Sequence, residues 1–118
     1  MSKSPLRGEI WYVQLPTEPP NLEKGRRPVV IVSTDARNTN PRADTVLVVP
    51  FSTSVLKDVP THLYLTSGET GLEASILAAE NVTVVRKSSL SEAHGRLRNL
   101  THRRICELAT KIKIAMGC

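Results

Sequence analysis

Cysteine is scarce and poorly placed for either of its usual structural jobs. Cys106 and Cys118 are the only two, they form no Cys-x-x-Cys pair, and one sits in an apolar-periodic stretch while the other is the last residue. That excludes a disulfide scaffold or a structural zinc site as the expected organiser of the fold. No run approaches the roughly 20 apolar residues needed to cross a bilayer. The start, Met1 to Pro5, is polar and lacks the apolar stretch of a signal peptide, so the cytoplasm is the expected compartment. Also missing are a His-Glu-x-x-His pair, a phosphate-cradling glycine loop, a Gly-x-Ser-x-Gly elbow and an acidic cluster suited to magnesium. His62, His94 and His102 are scattered at long spacings and suggest no ligand set. Neither a metal nor a cofactor is expected, which leaves metal-free chemistry or none. No composition shift, repeat or low-complexity tract breaks the 118 residues, so 1–118 reads as a single domain, large enough to form a core without staples.

Positive charge is what the chain does have. Sixteen lysines and arginines against 11 acids give +5, which draws polyanions by long-range attraction, although basic surfaces also serve solubility alone. Glu9-Ile-Trp-Tyr-Val-Gln-Leu15 is rich in β-branched and aromatic residues and reads as a first strand ending at Pro16. From Pro16 to Arg27 the prolines, Asn21 and Gly25 disfavour helix and strand alike, giving a loop of about a dozen residues, a length that usually signals function or disorder. Pro28-Val-Val-Ile-Val-Ser33 and Thr45-Val-Leu-Val-Val-Pro50 read as buried strands, with room for one helical turn over 35–40 between them. His62-Leu-Tyr-Leu-Thr66 alternates and should lay one face on the core. Gly68-Glu-Thr-Gly71 reads as a turn, followed by short strands at Ser75–Ala79 and Asn81–Val85 and a last one at Gly95–Arg98. Beyond Leu100 the period changes to 3.6: Ile105, Leu108, Ala109, Ile112, Ala115 and Met116 share one face of a helix capped by Thr101 and stopped by Gly117. Strands followed by one amphipathic helix fit an α+β layer or a small curved barrel with a helix packed on it.

Two junctions could carry chemistry. In Gly25-Arg26-Arg27-Pro28 the proline pushes Arg27 into an extended conformation at the start of a buried strand. A guanidinium held that way can grip a phosphate with both arms of its fork, although a plain surface arginine is the competing reading. Pro50-Phe-Ser-Thr-Ser54 ends the other buried strand in three hydroxyls, which can donate to a phosphate oxygen or simply satisfy their own turn. His62 could stack on a base or assist proton transfer. Trp11, the only tryptophan, could serve a base or the core. Lys24 and Arg26 are candidate phosphate contacts. His102, Arg103 and Arg104 crowd the first turn of the helix, against its dipole, which either an acidic partner surface or simple tolerance at an exposed end would explain.

Taken in order, Gly8-Glu-Ile-Trp11, Gly25-Arg-Arg-Pro-Val-Val-Ile-Val-Ser33, Thr45-Val-Leu-Val-Val-Pro50 with its hydroxyls, Pro60-Thr-His-Leu-Tyr-Leu65, Gly71-Leu and Ala78-Ala-Glu-Asn81 resemble the MazF/PemK toxins, from Arg7 through the terminal helix. The resemblance implies an SH3-like small β-barrel with a C-terminal α-helix. It also implies a homodimer, metal-independent cleavage of single-stranded RNA at short motifs, and inhibition by a cognate antitoxin. By position it puts the family's catalytic arginine on Arg27 and its catalytic threonine on Ser52, with Thr53 as the alternative one residue on. It places Lys24 and Arg26 beside the RNA groove. The competing readings are a non-catalytic SH3-like binding module and a topoisomerase-directed toxin on the same barrel.

Overall fold

Short apolar runs that cannot sustain helices become strands here, and they join in one curled antiparallel sheet. The computed structural model describes residues 4–14, 26–53, 59–92 and 98–117. Its strands are β1 (Ile10–Gln14), β2 (Arg26–Ile31), β3 (Thr45–Ser52), β4 (His62–Leu65), β5 (Ser75–Ala78), β6 (Thr83–Arg86) and β7 (Leu90–Glu92). They pair in the order β4-β5-β3-β2-β1-β7, with β6 also paired to β3. The long β3 gives one edge to β2 and divides the other: its first half, from Thr45, pairs with β6, and its last residues, Phe51 and Ser52, pair with β5.

Alternate residues on these strands serve two different cores, as the twofold period of a strand requires. Trp11, Val13, Val29, Ile31, Val46, Val48 and Val85 fill the inside of the curl. Val30, Val49, Phe51, Leu63, Leu65 and Leu77 face the other way and meet Ile105 and Leu108 of the helix α3 (His102–Met116). Burial on both faces explains why 28–33 and 45–50 are continuous apolar runs. Gly8 ties the helix's lead-in to the sheet. Its φ is +91°, a region closed to most side chains, and a Cβ there would stand 3.0 Å from the Leu100 carbonyl oxygen. The Gly8 carbonyl in turn accepts the Leu100 N–H at 2.8 Å.

α3 forms as its periodicity predicts. The Thr101 hydroxyl accepts the Arg104 N–H at 3.3 Å, and Gly117 closes the helix in the left-handed region. Only Ile105 and Leu108 are buried outright; Ala109, Ala115 and Met116 are exposed. The crowded cations of its first turn are partly accounted for within the chain. Arg104 makes ion pairs of 3.0 Å with both Glu69 and Glu107, and donates to the Tyr64 carbonyl.

Two short elements depart from the sequence expectation. The 68–71 segment is a single helical turn, α2 (Ser67–Thr70), closed at its start by a reciprocal capping box between Thr66 and Glu69 and at its end by left-handed Gly71. The strand expected over 95–98 lies, apart from Arg98, outside the described residues, and Arg98 is not in a strand. Among the described residues the last strand is β7, paired with β1 through Trp11–Glu92. The turn expected over 35–40 is α1 (Asp35–Asn38), whose buried Asn38 bonds Ser33.

Candidate active site

β2 begins where β3 ends, so the two junctions singled out in the sequence meet at one end of the barrel. Val29 pairs with Pro50, and continuing that antiparallel register by two residues sets Arg27 across from Ser52. Both then lie on the inward face of the curl, at its mouth, in the row beyond Val29 and Pro50. Pro28 removes a ladder donor at this strand start and holds Arg27 extended. One arm of the guanidinium donates to the Phe51 carbonyl at 3.2 Å, which lays the side chain across the end of β3. Arg27, Pro28, Phe51, Ser52, Thr53, Leu72, Glu73 and Ser75 line an open cleft of about 320 Å³. The structure thus brings together the arginine and both candidate hydroxyls, with Thr53 exposed at the strand end and Ser52 half-buried within it.

The other candidates are not gathered there. Arg26 is exposed beside Arg27 on the opposite side of the strand, and Lys24 lies outside the described residues. Trp11 is a core residue, 7% exposed and packed inside the curl, with its indole N–H donated to Glu9 at 3.0 Å, so it offers no free face for a base. His62 is buried as well, where the strand pattern suggested an accessible ring. It pairs with Ala78, three residues along β5 from the cleft residue Ser75, a separation of about 10 Å at strand rise.

His62 belongs to a second polar cluster. Its Nε2 is 3.3 Å from a Glu80 oxygen, Thr61 donates to the other Glu80 oxygen at 2.6 Å, and the ring meets Tyr64 edge-on with centroids 6.5 Å apart. The Thr61 hydroxyl first, then the backbone N–H of Glu80 itself and the imidazole, hold the Glu80 carboxyl below its ordinary range. The imidazole Nδ1 has no partner among the described residues. Sequence reasoning missed Glu73 and Leu72 as cleft residues. The signal available was the Gly71-Leu72-Glu73 step, a turn-closing glycine followed by a charge just before a fully buried strand.

The family profile described as PemK-like, MazF-like toxin of type II toxin-antitoxin system matches residues 6–116. The chain belongs to that family. A curated relative, probable endoribonuclease MazF5 of Mycobacterium tuberculosis, is 31% identical over 119 residues, covering 100% of this chain and 98% of the relative. Among solved structures, MazF from Deinococcus radiodurans superposes with a TM-score of 0.75 at 17% identity, covering 99% of this chain and 100% of that one. An endoribonuclease in complex with its cognate antitoxin, from a mycobacterial species, gives 0.71 at 24% identity, covering 97% and 96%. The toxin fold is therefore the α+β MazF type, an antiparallel sheet, of seven strands among the described residues, with a C-terminal helix. In this toxin the Arg27 junction sits at the barrel mouth and the His62 cluster some strands away.

Proposed function

We propose that this chain is a single-domain endoribonuclease toxin that cleaves single-stranded RNA at Arg27 and the Ser52/Thr53 hydroxyls without a metal. The observation that carries the reading is the apposition of a Pro-fixed arginine and a strand-end hydroxyl pair in one open cleft. RNA brings its own nucleophile, so the protein need only align it and stabilise the charge that builds on phosphorus. The 2′-oxygen attacks phosphorus and the bond to the 5′-oxygen breaks. Arg27 holds the non-bridging oxygens with its fork and passes a proton to the leaving 5′-oxygen, while a hydroxyl of Ser52 or Thr53 donates to a second non-bridging oxygen. The products carry a 2′,3′-cyclic phosphate and a free 5′-hydroxyl, and DNA, lacking the nucleophile, survives.

None of these steps needs a metal, and among the described residues no three His, Cys, Asp or Glu side chains stand together as a ligand set. Incubating the protein with a long RNA in excess chelator is the test. Cleavage should persist, whereas activity that disappears and returns with magnesium overturns the metal-free mechanism. Because a solved neighbour is an endoribonuclease bound to its cognate antitoxin, the proposed protein partner is a cognate antitoxin. The proposed compartment is the cytoplasm, where RNA is the polyanion that the +5 charge would meet.

The proposed assembly is a homodimer, since twofold dimers are the commonest homo-oligomers. The proposed surface for it is on the helix side of the sheet. Leu47 and Val84 are cross-strand partners, 39% and 54% exposed, and they continue the apolar face formed by Val49, Val82 and Ile112.

A further inference from the structure

Among the described residues lining the cleft beside Arg27, one carries a carboxylate, Glu73. It stands between the left-handed cap Gly71 and the start of β5, exposed to solvent. The Ser75 hydroxyl donates to the Glu73 carbonyl at 2.6 Å and fixes the backbone there. The carboxylate itself has no hydrogen-bond or ion-pair partner among the described residues. A free negative charge next to a phosphate-binding arginine weakens phosphate binding by like-charge repulsion. Such a residue is understandable if it does what its neighbours cannot. Arg27 only donates, and serine and threonine hydroxyls hold their protons at neutral pH. Of the described side chains lining the cleft, Glu73 is the one that can accept a proton there.

We propose that Glu73 is the general base that takes the proton from the attacking 2′-hydroxyl, a role that rests on the ribonuclease reading above. The step balances without any further reagent. The O2′–H bond breaks toward a Glu73 oxygen as the O2′–P bond forms. The P–O5′ bond then breaks, and the 5′-oxygen takes its proton from Arg27. Exchange with solvent removes the proton from Glu73 and returns one to Arg27. Among the described residues, Arg27 on β2 is the other titratable group lining the cleft, and Leu72 and Ala74 flank Glu73 in the chain. Arg98 approaches through its backbone N–H, bonded to the Thr70 carbonyl, while Glu69 is paired with Arg104. Activation of the 2′-hydroxyl is thus assigned to a residue of the β5 approach, in the same cleft as the arginine that serves the leaving side.

The test is single-turnover cleavage of a long RNA by wild type, Glu73→Gln, Glu73→Asp and Arg27→Ala, across the pH range in which circular dichroism shows every variant folded. Glu73→Gln should cleave about 10² to 10⁴ times more slowly, the range for loss of a general base. The fall in rate at low pH, where a protonated carboxyl no longer accepts, should vanish in the glutamine variant. Glu73→Asp should restore part of the rate. Binding of a 2′-O-methyl copy of the RNA should be unchanged or tighter, because a repulsive charge has gone. A glutamine variant that cleaves within threefold of wild type overturns the assignment. So does a slow one that keeps the wild-type fall at low pH, or one whose binding is lost in step with its rate. An inert Arg27→Ala beside a fully active Glu73→Gln refutes Glu73 alone. If wild type fails to cleave RNA, or Arg27→Ala cleaves as wild type does, the nuclease site itself is refuted.

Discussion

Replacing Leu108 by alanine tests how α3 is held to the sheet. Leu108 is 0% exposed and packs in the core that contains Leu63, Leu65, Leu77 and Ala79. The change deletes three carbon groups, about 2.4 kcal/mol of transfer free energy at about 0.8 kcal/mol each. It also leaves up to about 70 Å³ unfilled, adding about 1.7 kcal/mol if the walls do not relax. The expected loss is therefore about 2.5–4 kcal/mol. At about 4 °C per kcal/mol for a domain of this size, the melting midpoint should fall by roughly 10–16 °C. Urea unfolding at constant m-value measures the loss directly, and thermal melts check the shift. Lys113→Ala, on the exposed side of the same helix, should stay within about 0.5 kcal/mol. A loss below about 1 kcal/mol for Leu108→Ala, or an equal loss for the lysine control, would refute the view that this residue docks the helix.

At the site, Arg27→Ala should slow cleavage about 10²-fold or more while binding survives better, and Arg27→Lys should recover only part because the fork is gone. One of Ser52→Ala and Thr53→Val should approach the arginine variant's loss, and wild-type rates for both would remove the hydroxyls from the mechanism. For acid stability, the backbone N–H of Thr66, with the Arg104 charge also beside it, holds the Glu69 carboxyl below its ordinary 4.5. The stabilisation is therefore fully present above about pH 4.5 and is lost as pH falls through the lower folded value. Glu69→Gln should flatten the acid side of the urea-midpoint curve, and an unchanged slope would contradict this. Val84→Asp should shift the mass in solution from dimer toward monomer, and a dimer of unaltered stability would rule out that face.

Legibility in the sequence followed burial. The runs at 28–33 and 45–50 were readable because both faces of β2 and β3 are covered, leaving no polar residue to obscure the pattern. β7 was not, since Leu-Ser-Glu carries one apolar side chain and exists only because β1 offers it an edge. The Thr66-x-x-Glu69 capping signature stood in the sequence, but flanking glycines made it look like a plain turn. Arg27 and the hydroxyls could be named individually, whereas their apposition depends on the β2–β3 register, a tertiary fact. His62 shows the converse. Its strand alternates as expected, yet the ring is buried, and its Nε2 meets Glu80, 18 residues further on.

The division of β3 between two cores also limits which length changes the gene can tolerate. Val46 and Val48 face the inside of the curl, while Val49 and Phe51 face the helix. Inserting or deleting one codon within this stretch would send every later side chain to the wrong core. It would also move Ser52 to the far side of the strand from Arg27. The loop over 39–44, exposed through most of its length, carries no such parity and can absorb a length change. Length variation should therefore accumulate before Thr45 and stop there, with the cleft hydroxyls kept in phase with the valines that precede them.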